Sequence, residues 1–270
     1  MSIIYIDQEK CIKCSACANI CPSNIIEMTE QGPQENIALT CIQCGHCVAV
    51  CPVAALDNKL CPLSAQVPLE KSIAIEPDTA ARFLRSRRSI RSYKTNQVPK
   101  DKLLQLLDIA RFAPSGSNTQ GLSYLVISDL EKLEKIKTVI VEWLEQELKS
   151  SSSLPPSYIE AVNDFRNGKD TILRGAPHLI LALSLREIIH FGVDSAKFAL
   201  GYVELFAPSL GIGTCWVGLV HLCAIRKHAP LLDILSLPSN KVLVGAIIAG
   251  YPKYRYQRLV DRNPLDVSWS

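Results

Sequence analysis

No apolar run in the chain is long enough to cross a membrane. Residues 197–220 come nearest, but Lys197, Glu204 and Pro208 interrupt them, and a span needs about eighteen apolar residues. Charge of one sign is missing as well. Lys and Arg number 29 against 26 Asp and Glu, a formal net charge of +3. That is too small to argue for nucleic acid, and no basic block points to a membrane surface. The opening MSIIYIDQEKC lacks the charged, apolar and cleavage regions of a secretory signal, so a cytoplasmic, reducing setting is expected. The dinucleotide fingerprint GxGxxG is absent: Gly211 and Gly213 are present, but Trp216 stands where the third glycine belongs, and no separate nicotinamide-binding domain is expected. The five histidines, His46, His178, His190, His221 and His228, show no ligand spacing.

Cysteine is what the chain has: 11 in 270 residues. Cys11, Cys14, Cys17 and Cys21-Pro22 form one run, and Cys41, Cys44, Cys47 and Cys51-Pro52 repeat it. Each reads C-x2-C-x2-C-x3-C-P, the bacterial spacing for a [4Fe–4S] cluster. The short gaps let three thiolates converge on one cube, and the fourth lies too far along to close it. In two-cluster ferredoxins the fourth ligates the other cluster. Cluster I is therefore assigned to Cys11, Cys14, Cys17 and Cys51, and cluster II to Cys41, Cys44, Cys47 and Cys21. A disulfide framework would need an oxidising compartment. Zinc sites take C-x2-C pairs, often mixed with His, and suit a doubled four-cysteine run poorly. Cys61, beside Pro62, is a bystander or an accessory ligand, and Cys223 follows an apolar stretch as a packing residue.

Three segments are expected: a ferredoxin-like dicluster domain over residues 1–60, a linker over 61–76 carrying Pro62 and Pro68, and a larger α+β domain over 77–270. In the last, 78–86 and 100–112 read as helices, 122–127 as a strand, 130–148 as a long amphipathic helix and 150–156 as a Ser/Pro loop. Residues 178–184 and 241–250 read as buried strands, with a helix between them capped by Asp194 and running to about Ser209. The tail from Tyr251 is polar, Arg-rich and without period.

Four segments of the larger domain call for a chemical reading. Arg87-Arg88-Ser89-Ile90-Arg91 is a forked donor cluster suited to a phosphate and ring carbonyls, or else a solvated charge run. Pro114-Ser115-Gly116-Ser117-Asn118-Thr119-Gln120 is a polar turn that either lines a ligand or is an ordinary loop. Gly211 to Gly218 contains Cys215, either redox-active or packing, and Trp216, either ligand-facing or core. Gly250-Tyr251-Pro252-Lys253 follows the last strand.

In this order and spacing the segments resemble the nitroreductase family of FMN-dependent enzymes over about residues 77–270, and the module in front matches the subgroup with two [4Fe–4S] clusters. The resemblance implies a nitroreductase-like α/β/α domain and a homodimer with FMN at the subunit interface. It implies that Arg87, Arg88, Ser89 and Arg91 meet the FMN phosphate, ribityl chain and pyrimidine end. Pro114, Ser115, Gly116, Asn118 and Gln120 would reach the flavin from the neighbouring subunit. Thr214 to Gly218, with Cys215, Trp216, Val217 and Gly218, would pass over the ring, a backbone N–H of Val217 or Gly218 meeting N5. Arg262 resembles the late phosphate-binding arginine. The basic residue often found two positions earlier is Val260 here, with Lys253 or Arg258 as substitutes. Many members follow the loop Gln with Pro-Trp, where this chain has Gly121-Leu122, so a more open wall is expected there.

These readings imply an FMN-dependent oxidoreductase. Electrons would enter through clusters near about −400 mV and leave from flavin to a small acceptor: a nitroaromatic, a quinone or an activated double bond. The donor would be a low-potential ferredoxin-like protein or NAD(P)H. The other reading is an electron-transfer or redox-sensing module serving a partner protein. Neither nucleic acid nor membrane is expected as a partner.

Overall fold

In the computed structural model the described residues are 2–69, 74–150 and 155–270. Most of the expected loop at 150–156 lies outside them. The chain divides into two compact units, Met1–Ala74 with Ser117–Thr119, and Ile75–Gly116 with Gln120–Ser270. Among the described residues no helix is long and apolar enough to cross a membrane.

The first unit is a doubled structure. Strands β1 (Ile4–Ile6), β2 (Ile26–Thr29), β3 (Gly32–Glu35) and β4 (Leu56–Asn58) form two antiparallel pairs, β1 with β4 and β2 with β3. Short helices α1 (Ala16–Asn19) and α2 (His46–Ala49) each follow the first two cysteines of a run and carry the third, Cys17 and Cys47. The thirty-residue offset of the sequence repeat is reproduced in the backbone. Left-handed φ angles recur in pairs at Lys13 and Gln43 (54° and 57°), Ser15 and Gly45 (65° and 72°), and Asn24 and Ala54 (52° and 50°). Non-glycine residues in this region cost about 1 kcal/mol or more each and persist where surroundings impose them, which is usual at functional sites. Ile4, Ile25, Ile26, Val48 and Leu56 form a small core that also packs against the cysteines. Residues 61–66 are not a free linker. Leu63 N donates to Asp57 Oδ1 at 2.8 Å, Cys61 N to Asn58 O at 3.1 Å and Gln66 Nε2 to Gly45 O at 3.3 Å, so these residues stay with the first unit.

The second unit is built on one antiparallel sheet of order β5-β6-β8-β7: β5 (Leu122–Ile127), β6 (His178–Leu185), β8 (Lys241–Gly250) and β7 (Gly213–Trp216). Around it stand α3 (Pro77–Ser86), α4 (Lys100–Asp108), α5 (Leu130–Ser150), α6 (Pro156–Arg166), α7 (Ile189–Phe206), α8 (Gly218–Ile225) and α9 (Ala229–Leu235). The continuous apolar runs of β6 and β8 reflect cover on both faces. Leu179, Leu181 and Leu183 pack with α5, α8 and α9, while Ile180 and Ala182 pack with α4 and α7. The result is an α/β/α sandwich within the α+β class. A register shift at Ala182/Leu183 puts a bulge in β8. Leu243 then joins the first face, Val244 and Gly245 both turn to α7, and alternation resumes at Ala246.

Two expectations need correction. The long helix α7 starts at Ile189, five residues before Asp194, which sits on the surface 2.9 Å from Lys197 Nζ rather than at a cap. Gly213–Trp216, expected as part of a loop, is a strand, because its residues alternate against β8 and Thr214 and Cys215 are buried.

Candidate functional site

In the first unit two hollows take the eight cysteines in crossed sets. One is lined by Cys11, Cys14 and Cys17 with Cys51, and the other by Cys41, Cys44 and Cys47 with Cys21. The left-handed residues turn backbone N–H groups inward, the concave arrangement that receives negative charge. Gln43 N donates to Cys41 Sγ at 3.3 Å and Ala55 N to Cys51 Sγ at 3.2 Å. Among the described residues no three His, Cys, Asp or Glu donors converge as a single metal ion requires. Four thiols line each hollow, the donor set that a [4Fe–4S] cube takes. Burial pushes the Cys47 thiol up to about 11, with Cys61 adding to the shift. Cys61 itself does not line either hollow and packs behind Gly45.

In the second unit the arginine segment leaves α3 and pairs with β7. Ser89 bridges Thr214 in parallel, and Ile90 N donates to Thr214 O at 2.8 Å. The segment after β8 closes on the same stretch: Tyr93 bridges Pro252, Lys94 N donates to Tyr251 O at 2.8 Å and Lys253 N to Ser92 O at 3.0 Å. Three of the four segments therefore meet. Gly213 has no room for a side chain, since an added Cβ would lie 2.5 Å from Ile90 Cγ1.

The charged groups here are only partly satisfied. Arg88 donates from Nη1 to Arg87 O at 2.9 Å and from Nη2 to Arg258 O at 3.1 Å, while its buried Nε has no partner. A buried guanidinium N–H without an acceptor is costly, of order 1–3 kcal/mol, and leaves a donor that an anion could meet. Glu204, buried on α7, accepts from Trp216 Nε1 at 2.9 Å and has Arg87 Nη1 3.5 Å from its other oxygen. Burial raises its pKa, and Arg87, Trp216 and Thr214 oppose the rise. Glu204 was missed as a site residue, although a carboxylate within an apolar helical stretch is the signal of a buried partner.

The remaining expected residues are distributed as follows. Val217 N donates to Ala246 O at 3.0 Å, so it has no free N–H to offer. Gly218 opens α8, where the first N–H groups lack intrahelical acceptors, and it becomes the better candidate. Cys215 is buried, its thiol held protonated by burial and donating to Trp216 O at 3.5 Å. Its side chain belongs to the core. Trp216, 37% exposed, stays at the surface of the site. The loop is split. Pro114, Ser115 and Gln120 line a hollow with Leu122, Tyr124 and Ser195. Gly116 packs against Phe191. Asn118, in the first unit, donates to Ile42 O at 2.9 Å and Gln43 O at 3.0 Å. Among the described residues Arg262 bonds with Asp261 through its N and Nη1 and does not join Arg88; the tail residues that do are Arg258, through its carbonyl, and Tyr256, whose ring centroid lies 5.6 Å from the guanidinium carbon.

Comparisons with known proteins identify both parts of the chain. The 4Fe-4S dicluster domain pattern matches residues 3–52. The FMN reductase [NAD(P)H] of Bacillus subtilis is 27% identical over 175 residues, covering 64% of this chain and 65% of its own length. A putative NADH dehydrogenase/NAD(P)H nitroreductase of Methanothermobacter thermautotrophicus is 26% identical over 172 residues, 63% of this chain and 75% of that protein. Among solved structures, an FMN-bound nitroreductase of Bacteroides fragilis superposes with a TM-score of 0.56 at 21% identity, over 70% of this chain and 98% of that one. Residues 84–251 match the nitroreductase family itself, and the chain belongs to that family, with an iron–sulfur dicluster domain in front.

Proposed function

We propose that the chain is an FMN-dependent oxidoreductase whose electrons enter through two [4Fe–4S] clusters, one held by Cys11, Cys14, Cys17 and Cys51 and the other by Cys41, Cys44, Cys47 and Cys21. The observation that carries the reading is the buried, unpartnered Arg88 Nε beside the Ser89–Thr214 bridge. It is an anion-ready donor within the arginine segment that would hold the flavin phosphate. Arg87, Arg88, Ser89 and Arg91 would hold the phosphate, ribityl chain and pyrimidine end, and the Gly218 N–H would face N5. Bound FMN would supply a carrier that takes electrons singly and gives them up as a pair. The protein contributes binding, orientation and charge: Glu204 fixes the Arg87 guanidinium and the Trp216 indole, and buried Cys215 keeps its thiol out of the chemistry.

The same proposal includes a homodimer with the flavin at its interface. Phe83 and Leu84 on α3, Phe198 and Tyr202 on α7, and Leu265 and Trp269 in the tail are exposed in the single chain. The acceptor is a small oxidised compound such as a nitroaromatic, a quinone or an activated double bond. The donor is a low-potential ferredoxin-like protein, or NAD(P)H as in the name of the Bacillus relative. The domain limits we propose are a dicluster domain from the start, joined by the residues up to about 76 to a flavin domain from 77.

Anaerobic purification followed by iron, sulfide and flavin assay tests this. About eight iron atoms and one FMN per chain are expected, and no flavin after reconstitution overturns it. Rapid mixing with NADH or NADPH separates the donors, since fast bleaching of the flavin band selects the nicotinamide. Arg88→Ala is expected to weaken FMN binding by about 10- to 100-fold, the weight of a lost charge-assisted hydrogen bond, with the cluster absorbance unchanged.

A further inference from the structure

The thirty-residue repeat that relates the two cysteine hollows places different side chains at one equivalent pair, Met28 and Asn58. Met28, seven residues after Cys21, lines the first hollow, and Asn58, seven after Cys51, lines the second. Asn58 is 1% exposed. Its orientation is decided by the backbone: Leu60 N donates to Oδ1 at 2.9 Å, which leaves Nδ2 pointing at Cys41 Sγ, 3.7 Å away. Each cluster set also receives a backbone donor, Ala55 N on Cys51 and Gln43 N on Cys41. The buried side-chain amide is thus a donor that the second hollow has and that the first, with Met28 at the equivalent position, does not.

We propose that Asn58 is the residue that positions an N–H donor on the thiolates of cluster II and raises that cluster's reduction potential, a device cluster I does not share because Met28 takes its place. This rests on the dicluster reading above. Reduction adds one negative charge to a thiolate-ligated cluster, so a fixed donor at its sulfurs stabilises the reduced form more than the oxidised one. The direction matters because cluster II is the more enclosed. Cys47 is buried and Cys44 half-buried, whereas Cys14 of cluster I is exposed. Burial alone disfavours the added charge and pulls the potential of cluster II down, and Asn58 offsets that pull. Lys13, lining the first hollow, is exposed and bonded to Glu30 O at 2.8 Å, so solvent screens its charge.

The test is an anaerobic redox titration of the full holoprotein with dithionite, followed by electron paramagnetic resonance, for the native chain, Asn58→Leu and Met28→Asn. In Asn58→Leu one cluster wave is expected to fall while the other stays. In Met28→Asn the other wave is expected to rise. Fully loaded Asn58→Leu with both waves unmoved overturns the proposal. If Asn58→Leu loads no cluster II, Met28→Asn decides: a raised wave supports the assignment, and an unmoved wave ends it. Native protein without iron would sink the dicluster reading instead, a different failure.

Discussion

Glu204, Trp216 and Arg87 form a short chain of contacts in which the middle partner is easy to overlook. The indole N–H donates to the buried carboxylate at 2.9 Å. Trp216→Phe removes it and is expected to lower stability by about 1–3 kcal/mol, read from a circular dichroism melt. An unchanged melting temperature would show that water replaces the donor. His178 makes a second residue-scale case. Val98 N donates to its Nε2 at 2.8 Å, so that nitrogen carries the lone pair, and Nδ1 meets Ser128 Oγ at 2.7 Å. Burial holds its pKa below the ordinary 6.5. The folded chain keeps the ring neutral while the unfolded chain binds a proton below 6.5. Stability is therefore full above that pH and declines as pH falls toward the folded pKa, by at most about 1.4 kcal/mol per pH unit. His178→Gln should flatten this segment of the stability–pH curve in urea titrations; an equally steep curve would assign the slope to other groups.

At the scale of elements, the sheet is decided by the bulge in β8. Two consecutive residues, Val244 and Gly245, face α7, and an added Cβ at Gly245 would lie 2.8 Å from Leu200 Cδ1 and 3.5 Å from Ala196 Cβ. Gly245 keeps helix and sheet at close approach. Gly245→Val is expected to destabilise the second unit by about 1–3 kcal/mol through overpacking, measured by tryptophan fluorescence because Trp143, Trp216 and Trp269 all lie in it. Asp194 gives the converse expectation. Lying inside α7 with only a surface ion pair to Lys197, Asp194→Ala should change stability by less than about 0.5 kcal/mol, whereas a true cap would lose about 1. Among the elements of the second unit, α6, α8 and α9 were not read in the sequence, while α3, α4, β5, α5, β6, α7 and β8 were legible through helical periods or continuous apolar runs. β7 was not, since four residues after a glycine turn hold too little pattern to be told from a loop.

For the molecule as a whole, the stretch after Lys253 has neither helix nor strand, and Leu265 and Trp269 are 89% and 93% exposed. Large apolar side chains left in water at that level are usual for surfaces that meet another chain. Removing residues 256–270 is expected to leave the helix content of the second unit intact and to shift the sedimentation coefficient from dimer to monomer. A truncated chain that stays dimeric would place the contact on α3 and α7 alone. The candidate site was legible in part for a related reason. Cysteine spacing is a local property and survives without coordinates, as does the cluster of Arg87, Arg88 and Arg91. Glu204 was hidden because its partners lie on two other segments, Arg87 after α3 and Thr214 and Trp216 on β7.

What the residues alone determined were the properties written in short spacing: the two cysteine runs, the buried strands, the helices with a strong period, and the order of segments that marks the family. Tertiary structure decided which groups are already committed. It removed Val217 as a donor because β8 takes its N–H, sent the Cys215 thiol into the core, and left Arg88 Nε buried without a partner. It also separated Asn58 from Met28 by their surroundings, although the repeat makes them equivalent. The physical reason is common to all four. A hydrogen bond or a buried charge is settled by what lies across the fold, and partners far apart in the chain leave no trace in local pattern.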